Sequence, residues 1–128
     1  MVRFIAVAFG GALGAMLRYG TSLVINRIFD GPAPVATWIV NLTGCLLIGF
    51  LVPFLTSRPT SMPFQLFVLV GFLGALTTFS TFSMESIVLW QDGRFLLVFL
   101  NAIGSVAAGM LLVWAGMLLH SAFFTSVG

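Results

Sequence analysis

Hydroxyl side chains interrupt an otherwise apolar segment of the chain between Gly71 and Glu85. Two glycines are followed by five Thr or Ser residues, with Phe79 and Phe82 among them. Glycine inside a helix costs roughly 1 kcal/mol relative to alanine, and hydroxyls can satisfy backbone groups that a break leaves open. Non-helical backbone survives at membrane depth only where protein or an aqueous cavity covers it. The pattern therefore predicts a broken helix beside a polar path; a merely kinked helix is the alternative.

Three further polar side chains, Arg18, Asn41 and Glu85, fall within apolar segments. Asn, Ser and Thr can donate hydrogen bonds to an anion, a Phe ring presents a positive edge, and Arg18 adds positive potential. Glu85 instead suits a cation or a proton relay. A broken helix offers both carbonyls for a cation and an N-terminus for an anion. These residues indicate transport of a small ion and lean towards an anion, without settling the choice.

The composition points to the membrane and away from catalysis. The chain has 128 residues, of which 60% are hydrophobic and 6% are charged, and its mean hydropathy is +1.19; soluble domains carry about 25% charged residues. Its five arginines are scattered, so they form no nucleic-acid surface. His120 is the only histidine and is remote from any nucleophile, and the sequence contains no metal-ligand cluster. We therefore expect a membrane protein that is not an enzyme.

The apolar segments predict four helices in one transmembrane domain. A helix needs about 20 residues to cross the hydrocarbon core. Gly, Pro and charged residues mark loops at 26–34, 56–63 and 91–94. The predicted spans are residues 4–25, 36–55, 64–90 and 95–119 of a single domain, 1–128. The expected fold is an all-α integral membrane protein with a broken third helix.

The first span combines small residues with a charge. Gly10 and Gly14 have the spacing that lets two helices approach closely. Gly11, Gly14 and Arg18 share a helical face, which favours an Arg18 that faces protein. Arg18 either snorkels to the interface or faces an aqueous vestibule.

Polar pairs at helical spacing also occur in the second and fourth spans. Thr37 and Asn41 are four residues apart, as are Asn101 and Ser105. An Asn within hydrocarbon is costly unless it is hydrogen-bonded, so Asn41 either joins helices or lines a pore.

If the third span were a continuous helix, Thr77, Thr81 and Glu85 would form a polar line along one face. Phe79 and Phe82 would share a neighbouring face. Two Phe residues in a membrane helix ordinarily indicate packing; their place among hydroxyls favours a functional role.

The arginines predict no preferred orientation. Four spans put both termini on one side, with Arg3 and Arg58, while Arg27 and Arg94 lie on the other. Because an excess of Arg and Lys normally marks the cytoplasmic side, we expect the chain to insert both ways up. Two copies of opposite orientation could then pair about an axis in the membrane plane.

Three motifs resemble those of the Fluc (CrcB-like) fluoride channel family. They are the stretch from Gly71 to Glu85, the run Gly10-Gly11-Ala12-Leu13-Gly14-Ala15 followed by Arg18, and Val40-Asn41-Leu42. The length and the four-span layout agree with the family. Ala75 departs from it, because many members have a second Gly there. The family's structural Na⁺ site is formed by backbone carbonyls, so we expect that site to survive this change.

The resemblance implies an antiparallel, dual-topology homodimer in the inner membrane of a bacterium, with two interfacial pores that passively release cytoplasmic fluoride. It implies a structural Na⁺ at the dimer centre, held by the backbone carbonyls of Gly74 and Thr77. The implied fluoride-contacting residues are the ring edges of Phe79 and Phe82, a polar track of Ser80, Thr81 and Glu85, and a vestibule with Arg18 and Asn41. Ser105 matches the pattern of the fourth span, and Asn101 takes a variable polar position in the pore.

Two other functions fit four spans. A small multidrug-resistance-type exporter would carry a membrane Glu in its first span, where this chain has Arg18 and no carboxyl. A non-transporting membrane subunit would not need polar lines on three separate spans.

Overall fold

The third apolar segment is broken into two helices that meet at Thr77 and Thr78. The computed structural model describes residues 1–31 and 33–124 and forms helices α1 (Val2–Ile28), α2 (Val35–Thr56), α3 (62–76), α4 (Phe79–Gln91) and α5 (Phe95–Phe124). Four segments are long and apolar enough to cross a membrane: α1, α2, the pair α3 and α4 taken together (Met62–Gln91), and α5. The chain is thus an all-α, multi-pass membrane protein with a broken third span, as the sequence predicts.

The helices extend beyond the predicted spans at one or both ends. Polar residues such as Arg27 and Gln91 continue these helices beyond their apolar segments. Pro32, which the sequence places in the first loop, lies outside the described residues. The turn between α4 and α5 is tight and contains Gly93, whose φ of 71° is accessible to glycine with little strain.

Two segments have π-helical turns. Residues Leu66–Leu73 of α3 and Leu100–Gly104 of α5 are wound with the wider π pattern, whereas the rest of each helix is α-helical. Such turns are rare and often lie at functional sites. The second of them carries Asn101.

Glycines bring α1 against α3 and α2 against α5. A methyl group on Gly10 or Gly14 would overlap the carbonyl oxygens of Phe67 or Phe72, respectively, and one on Gly71 would lie 2.7 Å from the carbonyl oxygen of Val7. Gly116 of α5 is equally close to the backbone of α2. The spacing of small residues thus lets the helix backbones approach closely, as expected for membrane helices with few bulky side chains between them.

Candidate functional site: a cleft at the break in the third span

The break consists of two extended residues. Thr77 has φ −82° and ψ 153°, and Thr78 has φ −145° and ψ 119°. The Thr78 hydroxyl caps α4 by accepting a hydrogen bond from the Thr81 N–H at 3.3 Å. The line of Thr77, Thr81 and Glu85 requires a continuous helix, and it does not apply here because the two extended residues change the direction of the backbone. Only Thr81 and Glu85 lie on one helix, α4.

Asn41 of α2 holds the backbone at the break. Its Nδ2 donates to the Thr78 carbonyl at 3.1 Å, and its Oδ1 accepts from the Thr78 N–H at 2.8 Å. Both polar groups of an extended residue are thereby paired by one side chain. Asn41 also lines the adjacent cleft, so the two roles left open by the sequence, joining helices and lining a polar path, are compatible.

The Gly74 carbonyl is released by this arrangement. In an uninterrupted α-helix it would accept from the Thr78 N–H, but that N–H goes to Asn41. The carbonyl of Thr77 likewise precedes the new helix instead of lying inside one. Backbone carbonyls at a half-helix C-terminus are ligands of the kind that bind Na⁺ in transporters, and Gly74 is exposed on this subunit. The backbone at Gly74 and Thr77 therefore offers carbonyl oxygens of the kind that bind a hard cation.

Arg18 reaches the same helix end. Its Nε donates to the Ala75 carbonyl at 3.0 Å. A cation is favourable at the carboxyl end of a helix, where unpaired carbonyls concentrate negative potential. The Arg18 side chain is partly buried and lies at the break between α3 and α4.

An open cleft of about 480 Å³ lies against the break. We call it the central cleft; its lining includes Asn41, Gly74, Thr77, Thr78, Phe79, Phe82 and Ser105, together with apolar residues of α2, α3 and α5. The rings of Phe79 and Phe82 stack with centroids 5.6 Å apart. The Phe79 side chain is 79% exposed, so this wall of the cleft faces outward from the single subunit.

The hydroxyls of the first turn of α4 lie beside these rings. The Thr78 hydroxyl donates to the Thr81 hydroxyl at 3.0 Å and lies 3.4 Å from the Ser80 hydroxyl. Ser80 and Thr81 are not among the residues lining the central cleft. They form a short chain of hydroxyls that continues along α4 from the cleft.

Glu85 lies outside the central cleft, in a second cavity of about 290 Å³ at the end of the bundle near Asn26 and Asp92. Thr37 donates to Glu85 Oε1 at 2.8 Å. Glu85 Oε2 is buried and has no hydrogen-bond partner among the described residues. Phe79 and Glu85 are six residues apart on α4, so the polar groups of this helix lie at two separate sites, one beside the central cleft and one beside the second cavity.

Asn101 faces the protein interior. It is fully buried, and its amide bonds to Trp38, Ser86 and the carbonyl of Phe82. The structure thus places it behind Phe82 and not on the cleft wall where the sequence analysis put it. Asn101 lies in the π-helical turn, so it and Ser105 do not keep the relative orientation that they would have in an α-helix. Trp38 was missed, because an indole near the start of an apolar span ordinarily indicates an interfacial anchor.

The fold and the cleft define a small multi-pass membrane protein whose broken helix places backbone carbonyls, a helix N-terminus and aromatic rings beside one cleft, which is lined mostly by apolar side chains. Proteins that move ions across membranes use such breaks to bind them.

The chain belongs to the family described as CrcB-like protein, Camphor Resistance (CrcB), which matches residues 5–117. Three similar proteins carry the name fluoride-specific ion channel FluC. That of Flavobacterium psychrophilum is 40% identical over 88% of this chain and 92% of its own length. Those of Stutzerimonas stutzeri and Chloroflexus aurantiacus are 41% and 42% identical, over 89% and 91% of this chain and 93% and 94% of their own lengths. The family expected from the sequence motifs is confirmed.

Proposed function

We propose that the chain is a fluoride-selective ion channel that passively releases cytoplasmic fluoride. The observation that carries the proposal is the identity of 40–42% to proteins named fluoride-specific ion channels over nearly the whole chain. The central cleft supports it, because rings, an amide and hydroxyls line it. Fluoride holds its water tightly, so a pore must replace that shell with donors and positive ring edges at several weak sites.

The channel is proposed to be an antiparallel homodimer with two pores. The central cleft opens on the outside of one subunit, and Phe79 is exposed there. A second copy would cover that wall and turn the cleft into a path between subunits. The balanced arginines on the two sides support insertion in both orientations.

Each proposed residue has a role along this path. Phe79 and Phe82 present ring edges to the ion, and Ser105 faces the same cleft. Ser80 and Thr81 continue the polar track along α4, and Glu85 lies further along the same helix, beside the second cavity. Arg18 and Asn41 supply positive potential and a donor beside the break, while Asn101 acts from behind Phe82.

Flux measurement tests the channel directly. Purified protein in liposomes loaded with fluoride should release the ion rapidly, as measured by a fluoride electrode, while chloride-loaded liposomes release none. Release of both ions would leave an unselective anion pore. Release of neither from dimeric protein would contradict the channel and favour the exporter or the non-transporting subunit.

Replacing Phe82 by isoleucine should suppress fluoride release while the dimer still assembles. Isoleucine fills similar space but has no positive ring edge. Phe4→Ile is the matched control, because the Phe4 side chain is 82% exposed near the N-terminus. Efflux from liposomes with equal protein content compares the two variants. Wild-type rates in Phe82→Ile would remove the ring from the mechanism.

A structural Na⁺ at the dimer centre is proposed to bind the backbone carbonyls of Gly74 and Thr77. It would hold together the two carboxyl ends of α3 from opposite subunits. Exchanging Na⁺ for N-methylglucamine should slow fluoride release and lower the thermal stability of the dimer, because that cation is too large for a carbonyl cage. Equal stability and flux in both media would argue against the ion.

Dual topology predicts that each terminus lies on both sides of the membrane. A reporter fused to the N-terminus should show activity on the cytoplasmic side in some molecules and outside in others, and a C-terminal fusion should give the same mixture. A single-span protein of known orientation controls for reporter leakage. Both fusions confined to one side would exclude the antiparallel dimer.

A further inference from the structure

Behind the cleft wall lies a fully buried carboxamide with all of its hydrogen-bonding groups engaged. Asn101 is 0% exposed. Its Oδ1 accepts from the Trp38 indole N–H at 2.6 Å, and its Nδ2 donates to Ser86 Oγ at 2.9 Å and to the Phe82 carbonyl at 3.3 Å. One side chain thus connects α2, α4 and α5.

The hydrogen bonds converge on the Phe82 carbonyl. Ser86 Oγ also donates to it, at 2.8 Å, so this oxygen receives two side-chain donors. The ring of the same residue lines the central cleft. Asn101 therefore contacts the back of the residue whose front is exposed to the proposed ion path.

The first turn of α4 needs such support because it follows a break. On its N-terminal side the backbone is extended, so no helix holds it there. Asn41 fixes Thr78 at the start of the turn, and Asn101 fixes Phe82 one turn later. The segment carrying both rings is thereby held at its two ends by amide side chains from different helices.

We propose that Trp38 and Asn101 are positioning residues: the indole orients the Asn101 amide, and the amide fixes the backbone of Phe82 so that its ring keeps its place in the central cleft. The inference deepens the proposed channel function and rests on it for its effect on flux. The position of the ring itself can be tested without fluoride.

The decisive pair of variants is Asn101→Leu and the double variant Trp38→Phe/Asn101→Leu. The single variant leaves the partly buried indole N–H without its partner, which destabilises the protein. Replacing both partners by apolar groups can be nearly neutral for stability, yet it still removes the Asn101 donor from the Phe82 carbonyl and leaves only the Ser86 hydroxyl there. Leu55→Ala is the control for lost stability, since Leu55 is 2% exposed near the opposite end of α2.

Three properties are measured in each variant: thermal unfolding of the dimer, fluoride efflux, and the NMR signal of ¹³C-labelled Phe rings, with Phe82 assigned from its loss in Phe82→Ile. We expect the double variant to regain stability relative to the single one. Both should shift the Phe82 signal and slow efflux by about tenfold, the effect of losing roughly one buried hydrogen bond in the conducting geometry. Leu55→Ala should leave the Phe82 signal in place.

Unmoved Phe82 signals in both variants would overturn the proposal, whatever the flux. Wild-type efflux in the stable double variant would also overturn it, because the pair would then serve folding alone. If the wild-type protein released no fluoride, the channel function would fail, whereas the Phe82 signal would still decide whether Trp38 and Asn101 position the ring.

Discussion

Replacing Asn41 by leucine should abolish fluoride release and destabilise the subunit. Asn41 is hydrogen-bonded to both the N–H and the C=O of Thr78, in the extended segment where no helix can pair them. Each buried polar group left without a partner costs about 1–3 kcal/mol. The combined loss of about 2–6 kcal/mol is a large part of the 5–15 kcal/mol that typically stabilises a domain.

The effect on transport has a separate cause. Without Asn41, the Thr78 N–H is free to return to the Gly74 carbonyl, which would extend α3 past its present end. This extension of α3 would close the break beside the proposed Na⁺ site and the proposed fluoride path. Unfolding in detergent measures the loss of stability, size-exclusion chromatography reports whether the dimer still forms, and liposome efflux measures the loss of transport.

Two comparisons separate polarity from position. Asn41→Asp keeps an acceptor for the Thr78 N–H but sets a carboxyl oxygen against the Thr78 carbonyl, so it should be less stable than wild type although its side chain has the same size and shape. Thr43→Leu changes a polar residue on the exposed face of α2 and should be nearly silent. If Asn41→Leu matched Thr43→Leu in both stability and efflux, Asn41 would not hold the break.

Gly14→Ala should prevent α1 from packing against α3. The added methyl group would overlap the carbonyl oxygen of Phe72 and lie 3.0 Å from the Leu76 N. Because the contacted atoms belong to the backbone of α3 and cannot move aside as a flexible side chain can, α1 and α3 must separate. Overpacking of this kind typically costs about 1–3 kcal/mol and sometimes more. Separation would also move Arg18 away from the Ala75 carbonyl.

Gly20→Ala is the matched control within the same helix, because no atom lies within 4 Å of a methyl group at that position. Alanine should be tolerated there and could even stabilise α1 through its higher helix propensity. The fraction of dimer after purification and its unfolding temperature distinguish the variants. Similar behaviour of Gly14→Ala and Gly20→Ala would show that α1 and α3 do not depend on this contact.

Sequence patterns predicted the break because it depends on local composition. Glycines followed by hydroxyls weaken a helix and can satisfy a break, and both effects act within a few residues. The central cleft likewise contains the predicted Asn41, Phe79, Phe82 and Ser105. The resemblance to the channel family, and not helical spacing alone, assigned these residues to one ion path.

Contacts between spans were harder to predict. The choice of Ala75 as the partner of Arg18 depends on how far α1 slides along α3, which glycine spacing does not define. The interior position of Asn101 depends on a π-helical turn, and residues 100–104 carry no composition that distinguishes such a turn from an α-helix. The resemblance to the family assigned Asn101 to the pore, whereas the structure gives its side chain three interior hydrogen-bond partners.

The π-helical turn at Leu100–Gly104 also bears on how this span can vary in length. A turn of this kind accommodates one residue more than an α-helical turn, while the helix on each side keeps its orientation. Deleting one residue within it should restore a regular helix and leave Phe95–Phe99 and Ser105–Phe124 in place. Only the π-helical turn that carries Asn101 would be lost. A one-residue deletion, which ordinarily puts the rest of a membrane helix out of register, would here remodel the wall behind the cleft and spare the remaining packing.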